Sequence, residues 1–258
     1  MKKQAEVTRM NVPGALRAAT ALDRLQWRVR LNAIKRRGKQ RVALASFPRS
    51  GNTWLRFMLE AATGELTGNA SDREARVLHR AKDGLVIKTH RRDSYRYTHA
   101  IHLVRSPFDV ADSFFDWKRS LGWTGKHGEE SWDEFVRRII PLWTLHTRHW
   151  LDTRTPTFLI RYEDCLREPA PQFRALLAWL DRPVSDETLH AAIDATSFEQ
   201  LKRKQSAESP VGGKFFRRGA AAKGIERFSP EQRQWVLAQA RRELEQSGYE
   251  RLVNERVS

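Results

Sequence analysis

Cysteine is almost absent. Cys165 is the single thiol in 258 residues, which excludes an intramolecular disulfide framework and any multi-cysteine zinc site, and fits a reducing compartment. Long apolar runs are missing too: none approaches the ~18 residues of a membrane-spanning helix, and the opening MKKQAEVTRM lacks the apolar centre of a secretory signal. These absences predict a soluble, cytoplasmic protein. Acidic residues are scarce beside basic ones, 31 Asp and Glu against 47 Lys and Arg, for a formal charge of +16. No zinc-finger spacing, RNA-binding signature, heptad run or internal repeat accompanies that charge, so nucleic acid is not an expected partner.

The charge is unevenly spread. Residues 1–41 hold twelve Lys or Arg against Glu6 and Asp23, so ten of the sixteen excess charges lie there. Ala18, Leu22, Leu25, Val29 and Ala33 recur in this segment at helical spacing, which predicts an amphipathic helix docked on the domain. We expect 1–40 to be a basic helical extension, either a solvated face or a contact for an anionic surface, and 41–258 to be one domain. Nine Trp and 40% apolar residues suffice for one core.

Along the domain, short apolar runs at 41–47, 84–88, 100–105 and 157–162 read as buried strands. Helical patterns follow at 52–64, closed by Gly64, and at 107–121, opened by Pro107. A long helix is expected over 131–151, through Pro141, with Ser131 and Glu134 as a capping box. Three helical stretches at 168–180, 184–195 and 197–204 come next, then a last helix from Ser229, while 64–84, 121–131 and 205–228 read as loops. Strands alternating with helices predict an α/β domain, a central parallel sheet flanked by helices, with function at the carboxyl ends of its strands.

One turn between a strand and a helix stands out. Residues 46–54 read SFPRSGNTW, with the length, glycine and threonine of a phosphate-binding P-loop; Ser46 replaces the first glycine and Asn52 the lysine. The cation has moved to Arg49. Other strand ends add anion donors: Lys88 and His90 in IKTH, and Arg105 with Ser113 in VRSPFDVADS. Arg217, Arg218 and Gly219 stand in KFFRRG of the long loop. His146 and His149, spaced i, i+3, have no carboxylate pattern around them and read as core or surface residues rather than metal ligands.

Together these motifs resemble the PAPS-dependent sulfotransferases of the cytosolic type and their bacterial relatives, over roughly 41–230. The resemblance implies a P-loop-like fold of the nucleotide-kinase type, PAPS (3'-phosphoadenosine 5'-phosphosulfate) as donor, PAP as product and no metal. It assigns Arg49, Ser50, Gly51, Asn52, Thr53 and Trp54 to the 5'-phosphosulfate loop, and Lys88 and His90 to catalysis. Arg105 and Ser113 are assigned to the 3'-phosphate, Tyr162, Thr196, Ser197 and Phe198 to the adenine side, and Arg217, Arg218 and Gly219 to a loop closing on the 3'-phosphate. His90 would be the base toward a small-molecule or glycan hydroxyl, Lys88 and Arg49 would carry leaving-group charge, and Ser113 would restrain Arg49.

Two departures from the family pattern are visible. Arg49 stands where Lys is usual, which keeps the charge and adds a planar fork. The closing loop usually reads R-K-G-x-x-G-x-W, whereas RRGAAAKG has Ala222 for the second glycine and Gly224 for the tryptophan, so its closure is expected to differ. The competing readings are a P-loop-like kinase, disfavoured by the missing lysine and the lack of a clear Mg²⁺ ligand, and a non-catalytic polyanion-binding protein, disfavoured by the intact KTH.

Overall fold

The computed structural model describes residues 40–69, 84–122, 130–201 and 223–254, with single positions at 25, 28, 29, 31, 32, 36 and 203. Its centre is a parallel sheet in the order β2-β3-β1-β4-β5. The strands are β1 (Val42–Ser46), β2 (Gly68–Asn69), β3 (Ile87–Thr89), β4 (His99–Val104) and β5 (Thr157–Arg161). The α/β architecture expected from alternating strands and helices is therefore present.

β1 is buried along its whole length, and its two faces differ. Val42 and Leu44 face a core built with Leu55, Met58 and Leu59 of helix α1 (Asn52–Thr63) and with Leu176, Leu177 and Leu189. Ala43 and Ala45 face the other way, beside Ile87, Tyr97, Ala100 and Trp150. The small alanines leave space for that large indole. Removing Leu55 or Leu59 to Ala should cost about 2–5 kcal/mol, the usual penalty for a buried leucine.

On one side of the sheet lie α1, α4 (Tyr162–Arg167), α5 (Pro169–Trp179) and α6 (Asp186–Ala195). A separate cluster joins α2 (Pro107–Ser120), α3 (Trp132–Leu151) and α7 (Pro230–Gln246) through Phe108, Phe135, Ile139, Trp143, Val236 and Ala240. α8 (Glu250–Asn254) follows α7. Both expected caps form: Ser131 and Glu134 bond reciprocally at α3, and Ser229 does so with Gln232 at α7. α1 ends on Gly64 at φ 69°, and α3 runs unbroken through Pro141, which lies on its exposed side.

Several boundaries differ from the sequence reading. The strand expected at 84–88 begins at Ile87, because Leu85 N bonds the Leu66 carbonyl outside the regular ladder. The segment read as loop supplies the two-residue β2, too short to show a pattern, where Gly68 N donates to Val86 O at 2.7 Å. α4 was not anticipated either; its six residues, YEDCLR, are too few to display helical periodicity. In the N-terminal segment, Leu25 and Val29 are helical but 58% and 64% exposed, so neither of these side chains docks on the domain as expected. The extension's other positions lie outside the described residues.

Candidate active site

All four main strands deliver a candidate residue at their carboxyl ends. β1 runs into the 47–51 turn, β3 into His90, β4 into Arg105 and β5 into Tyr162. The chain moves from β1 toward β3 on one side and β4 on the other, the topological switch at which open parallel sheets bind ligands.

The turn after β1 answers why a P-loop-like sequence lacks its lysine. The Asn52 side chain is buried and donates to Leu44 O at 3.1 Å and Ser46 Oγ at 3.0 Å. Position 52 thus ties the helix start to the strand. The donors left for an anion at this turn are the backbone N–H groups at the N-terminus of α1, which lack intrahelical partners. Gly51 sits at φ 94°, and a Cβ there would lie 2.5 Å from Tyr162 Cδ2, so both backbone conformation and space demand glycine.

The loop's cation is Arg49, itself at φ 71°. Its Nε donates to Ser113 Oγ at 3.2 Å, and its guanidinium carbon lies 5.6 Å from the Trp117 ring centroid. Arg105 Nη1 donates to the Arg49 carbonyl at 3.0 Å while its guanidinium stacks 4.4 Å from the Tyr162 ring. The structure therefore brings Arg49, Gly51, Arg105, Ser113 and Tyr162 into one cluster. Arg105 Nε and Ser50 Oγ are buried in it without a hydrogen-bond partner among the described residues. Buried donors left open in this way suit an anionic ligand.

His90 is held from β1. Its Nδ1 lies 2.7 Å from the Ser46 carbonyl; a carbonyl only accepts, so Nδ1 carries the proton and Nε2 keeps its lone pair. Burial first, then the neighbouring Lys88 charge, push the ring's pKa from 6.5 down to about 3, against the Ser46 hydrogen bond that raises it. His90 is thus neutral at pH 7. Lys88, half-buried, pairs in register with Leu44.

Among the residues that the resemblance assigns to adenine, Trp54 Nε1 donates to Thr196 O at 3.0 Å, and its ring meets Tyr162 edge-on at 5.5 Å. Thr196 is buried and bonds back to Ala192 O; Thr53, Ser197 and Phe198 are half-buried nearby in sequence. Arg217, Arg218, Gly219 and Ala222 lie outside the described residues. Two supporting residues escaped the sequence reading although their motifs were in view. Glu163, next to Tyr162 in RYED, accepts from Ser106 N at 2.9 Å and from Tyr249 OH at 2.5 Å. Asp109, in VRSPFDVADS, accepts from Gly224 N at 2.8 Å.

A family model described as "Sulfotransferase domain" matches residues 86–248. The chain belongs to the sulfotransferase domain family. The matched span begins beyond the 46–53 loop, which stands on its own geometry. A WSCD family member of Aedes aegypti is 31% identical over 179 residues, 60% of this chain and 55% of that protein. Sulfotransferase 1A1 of Bos taurus is 25% identical over 111 residues, 40% of this chain and 37% of that protein. The chain spans about half the length of the WSCD relatives it matches. A crystal structure of mouse sulfotransferase SULT7A1 complexed with PAP superposes with a TM-score of 0.67 at 21% identity, covering 84% of this chain and 88% of that one. That likeness establishes the sulfotransferase fold here.

The remaining candidates are structural. His146 is buried, with neither ring nitrogen partnered among the described residues, edge-on to Phe47 at 5.8 Å and 6.1 Å from the His102 ring; His149 accepts a long bond from Ser94 N at 3.4 Å. Among the described residues no group of three or more His, Cys, Asp or Glu is placed to hold a metal ion, and no helix is long and apolar enough to cross a membrane. Cys165 is buried and its thiol pKa is pushed up by that burial.

Proposed function

We propose that the protein moves a sulfuryl group from PAPS to a hydroxyl acceptor, a small molecule or a glycan, with His90 as general base. The observation that carries the reading is the contact of His90 Nδ1 with the Ser46 carbonyl at 2.7 Å, which leaves Nε2 its lone pair in a ring kept neutral. The open donors at Ser50 and Arg105 and the N-terminus of α1 support an anionic donor beside it.

PAPS supplies the sulfuryl group and departs as PAP. His90 Nε2 takes the acceptor's hydroxyl proton as the new S–O bond forms and the bond from sulfur to the phosphate oxygen breaks, the electron pair leaving on that oxygen. Lys88 and Arg49 stabilise the charge that collects there, assisted by the dipole of α1. Ser113, bonded to Arg49, restrains that cation. Arg105 holds the 3'-phosphate, with Arg217, Arg218 and the Gly219 backbone, while Trp54, Tyr162, Thr196, Ser197 and Phe198 take the adenine side.

A histidine with a pKa near 3 is a weak base, and an anion bound beside it raises that value. The base therefore gains strength only when the donor is in place. NMR titration of His90 should show its pKa climbing on addition of PAP. The deciding experiment is a melting curve titrated with PAP and AMP, followed by an acceptor-library screen with PAPS read by mass spectrometry. Greater stabilisation by PAP and an added sulfuryl group support the reading; equal stabilisation by PAP and AMP overturns it, and strict dependence on ATP and Mg²⁺ would favour a kinase.

A further inference from the structure

Arg49 carries a combination that the reaction alone does not require. It has a Cβ yet adopts φ 71°, a sparsely populated backbone conformation for such a residue. Conformations of that kind persist only where the surroundings over-determine them. Contacts that do so here include Arg105 on its carbonyl at 3.0 Å, Ser113 on its Nε at 3.2 Å, and Trp117 at 5.6 Å from its guanidinium carbon.

Ser113 and Trp117 are i, i+4 on α2 and share one face of that helix. Trp117 is half-buried and packs on Phe114, with ring centroids 5.7 Å apart, and Phe114 packs in turn edge-on to Phe135 of α3 at 5.9 Å. The indole is thereby supported from the α2–α3 core rather than from the loop it meets. A planar guanidinium stacks on an indole, whereas an ammonium offers no plane to stack.

We propose that Trp117 is a positioning residue for Arg49, so that arginine in the 46–53 loop and tryptophan one turn beyond Ser113 work as a unit. Trp117 holds the guanidinium when the Ser113 hydroxyl turns to other partners, and this contact makes Arg49 more than a lysine substitute. The proposal rests on the sulfuryl-transfer reading for its catalytic consequence, but the contact itself does not.

The test uses the full chain with Trp117→Leu, Trp117→Phe, Arg49→Lys and the Arg49→Lys/Trp117→Leu double variant. Trp117→Leu should lower kcat with PAPS about tenfold while acceptor KM stays within about twofold, the pattern of a lost transition-state interaction. Trp117→Phe, which retains a ring face, should recover to within about threefold, and in the Arg49→Lys background Trp117→Leu should cost less than about twofold. A second measurement needs no ligand. In melting curves, the losses of the two single variants should sum to about 2 °C more than the loss of the double variant, because both remove the same contact. Additive losses, or a rise in acceptor KM with kcat unchanged, would overturn the proposal, the latter making Trp117 an acceptor wall. Coupled melting temperatures in a protein that fails to bind PAP would uphold the Arg49–Trp117 unit and remove the cofactor reading instead.

Discussion

The loop at 46–53 and the segment at 223–227 both depart from the family pattern, and they differ in what the departure changes. In the loop, Arg49 keeps a cation at the place where the family has one, and Ser113, Trp117 and Arg105 grip it. At the second site Gly224 stands where the pattern has tryptophan, and no side chain fits: a Cβ would lie 2.6 Å from Phe108 O and 2.7 Å from the Asp109 Cα and N. Its N–H is bonded to Asp109, and Arg227 three residues on bonds both Asp112 and Asp116 at 2.9 Å, with its guanidinium over the adjoining Phe115 and Trp132 rings. The first change keeps a positive charge in the loop. The second alters how the chain returns to α2, with three aspartates of that helix recruited to seat it.

The sharpest break in this contrast is His90→Ala, which removes the proposed base. Turnover should fall ~10² to 10⁴-fold, as for a lost general base, while PAP affinity by calorimetry stays near the parent's; turnover within threefold of the parent would remove His90 as the base. Next comes Gly224→Trp, which restores the family residue. Its Cβ meets backbone on α2, so we expect a loss of about 3 kcal/mol in urea unfolding from overpacking, and a neutral outcome would mean that the segment does not sit against α2. Arg105→Ala lies between the two regions. It should remove most of the excess stabilisation by PAP over AMP, on the order of 1.5–3 kcal/mol for a charge-assisted bond, with the fold retained.

The smallest expected effect, taken per pH unit and per group, is in titration. Burial pushes His102 to about 3, with His149 adding like charge, and holds His146 well below its usual range; His90 is also near 3. These folded-state values lie below the unfolded value near 6.5, so the unfolded chain binds more protons as pH drops beneath 6.5. Stability should be flat in this respect above pH 6.5 and decline from there toward pH 3, by up to about 1.4 kcal/mol per pH unit for each histidine. Denaturant midpoints measured across pH 7 to 4 check the slope, and His146→Leu should remove one histidine's share of it.

The strand, turn and helix at 42–63 were legible because an apolar run, a glycine and a helical period occupy adjacent positions. The same holds for the capping box of Ser131 and Glu134, whose partners stand three residues apart, and for Ser229 at the start of α7, though not for its partner Gln232. What could not be read were contacts fixed by topology. Trp117 meets Arg49, and Glu163 meets Ser106 and Tyr249, only because parallel strands deliver their ends to one rim. Asn52 was assigned to the cofactor from its place in the motif, but its side chain is turned toward β1. Leu25 and Val29 followed a helical period that says nothing about whether a surface exists to receive them.

Glu163 links two distant parts of the chain. Its carboxylate takes the Ser106 amide at the start of α2 with one oxygen and the Tyr249 hydroxyl with the other, and burial raises the pKa of both partners. The residues after α7 are thus mechanically continuous with the helix that carries Ser113. A probe or fusion joined just past Tyr249 would report on, and could disturb, a site far away along the sequence, so engineering at that end calls for a long spacer and a Tyr249→Phe control.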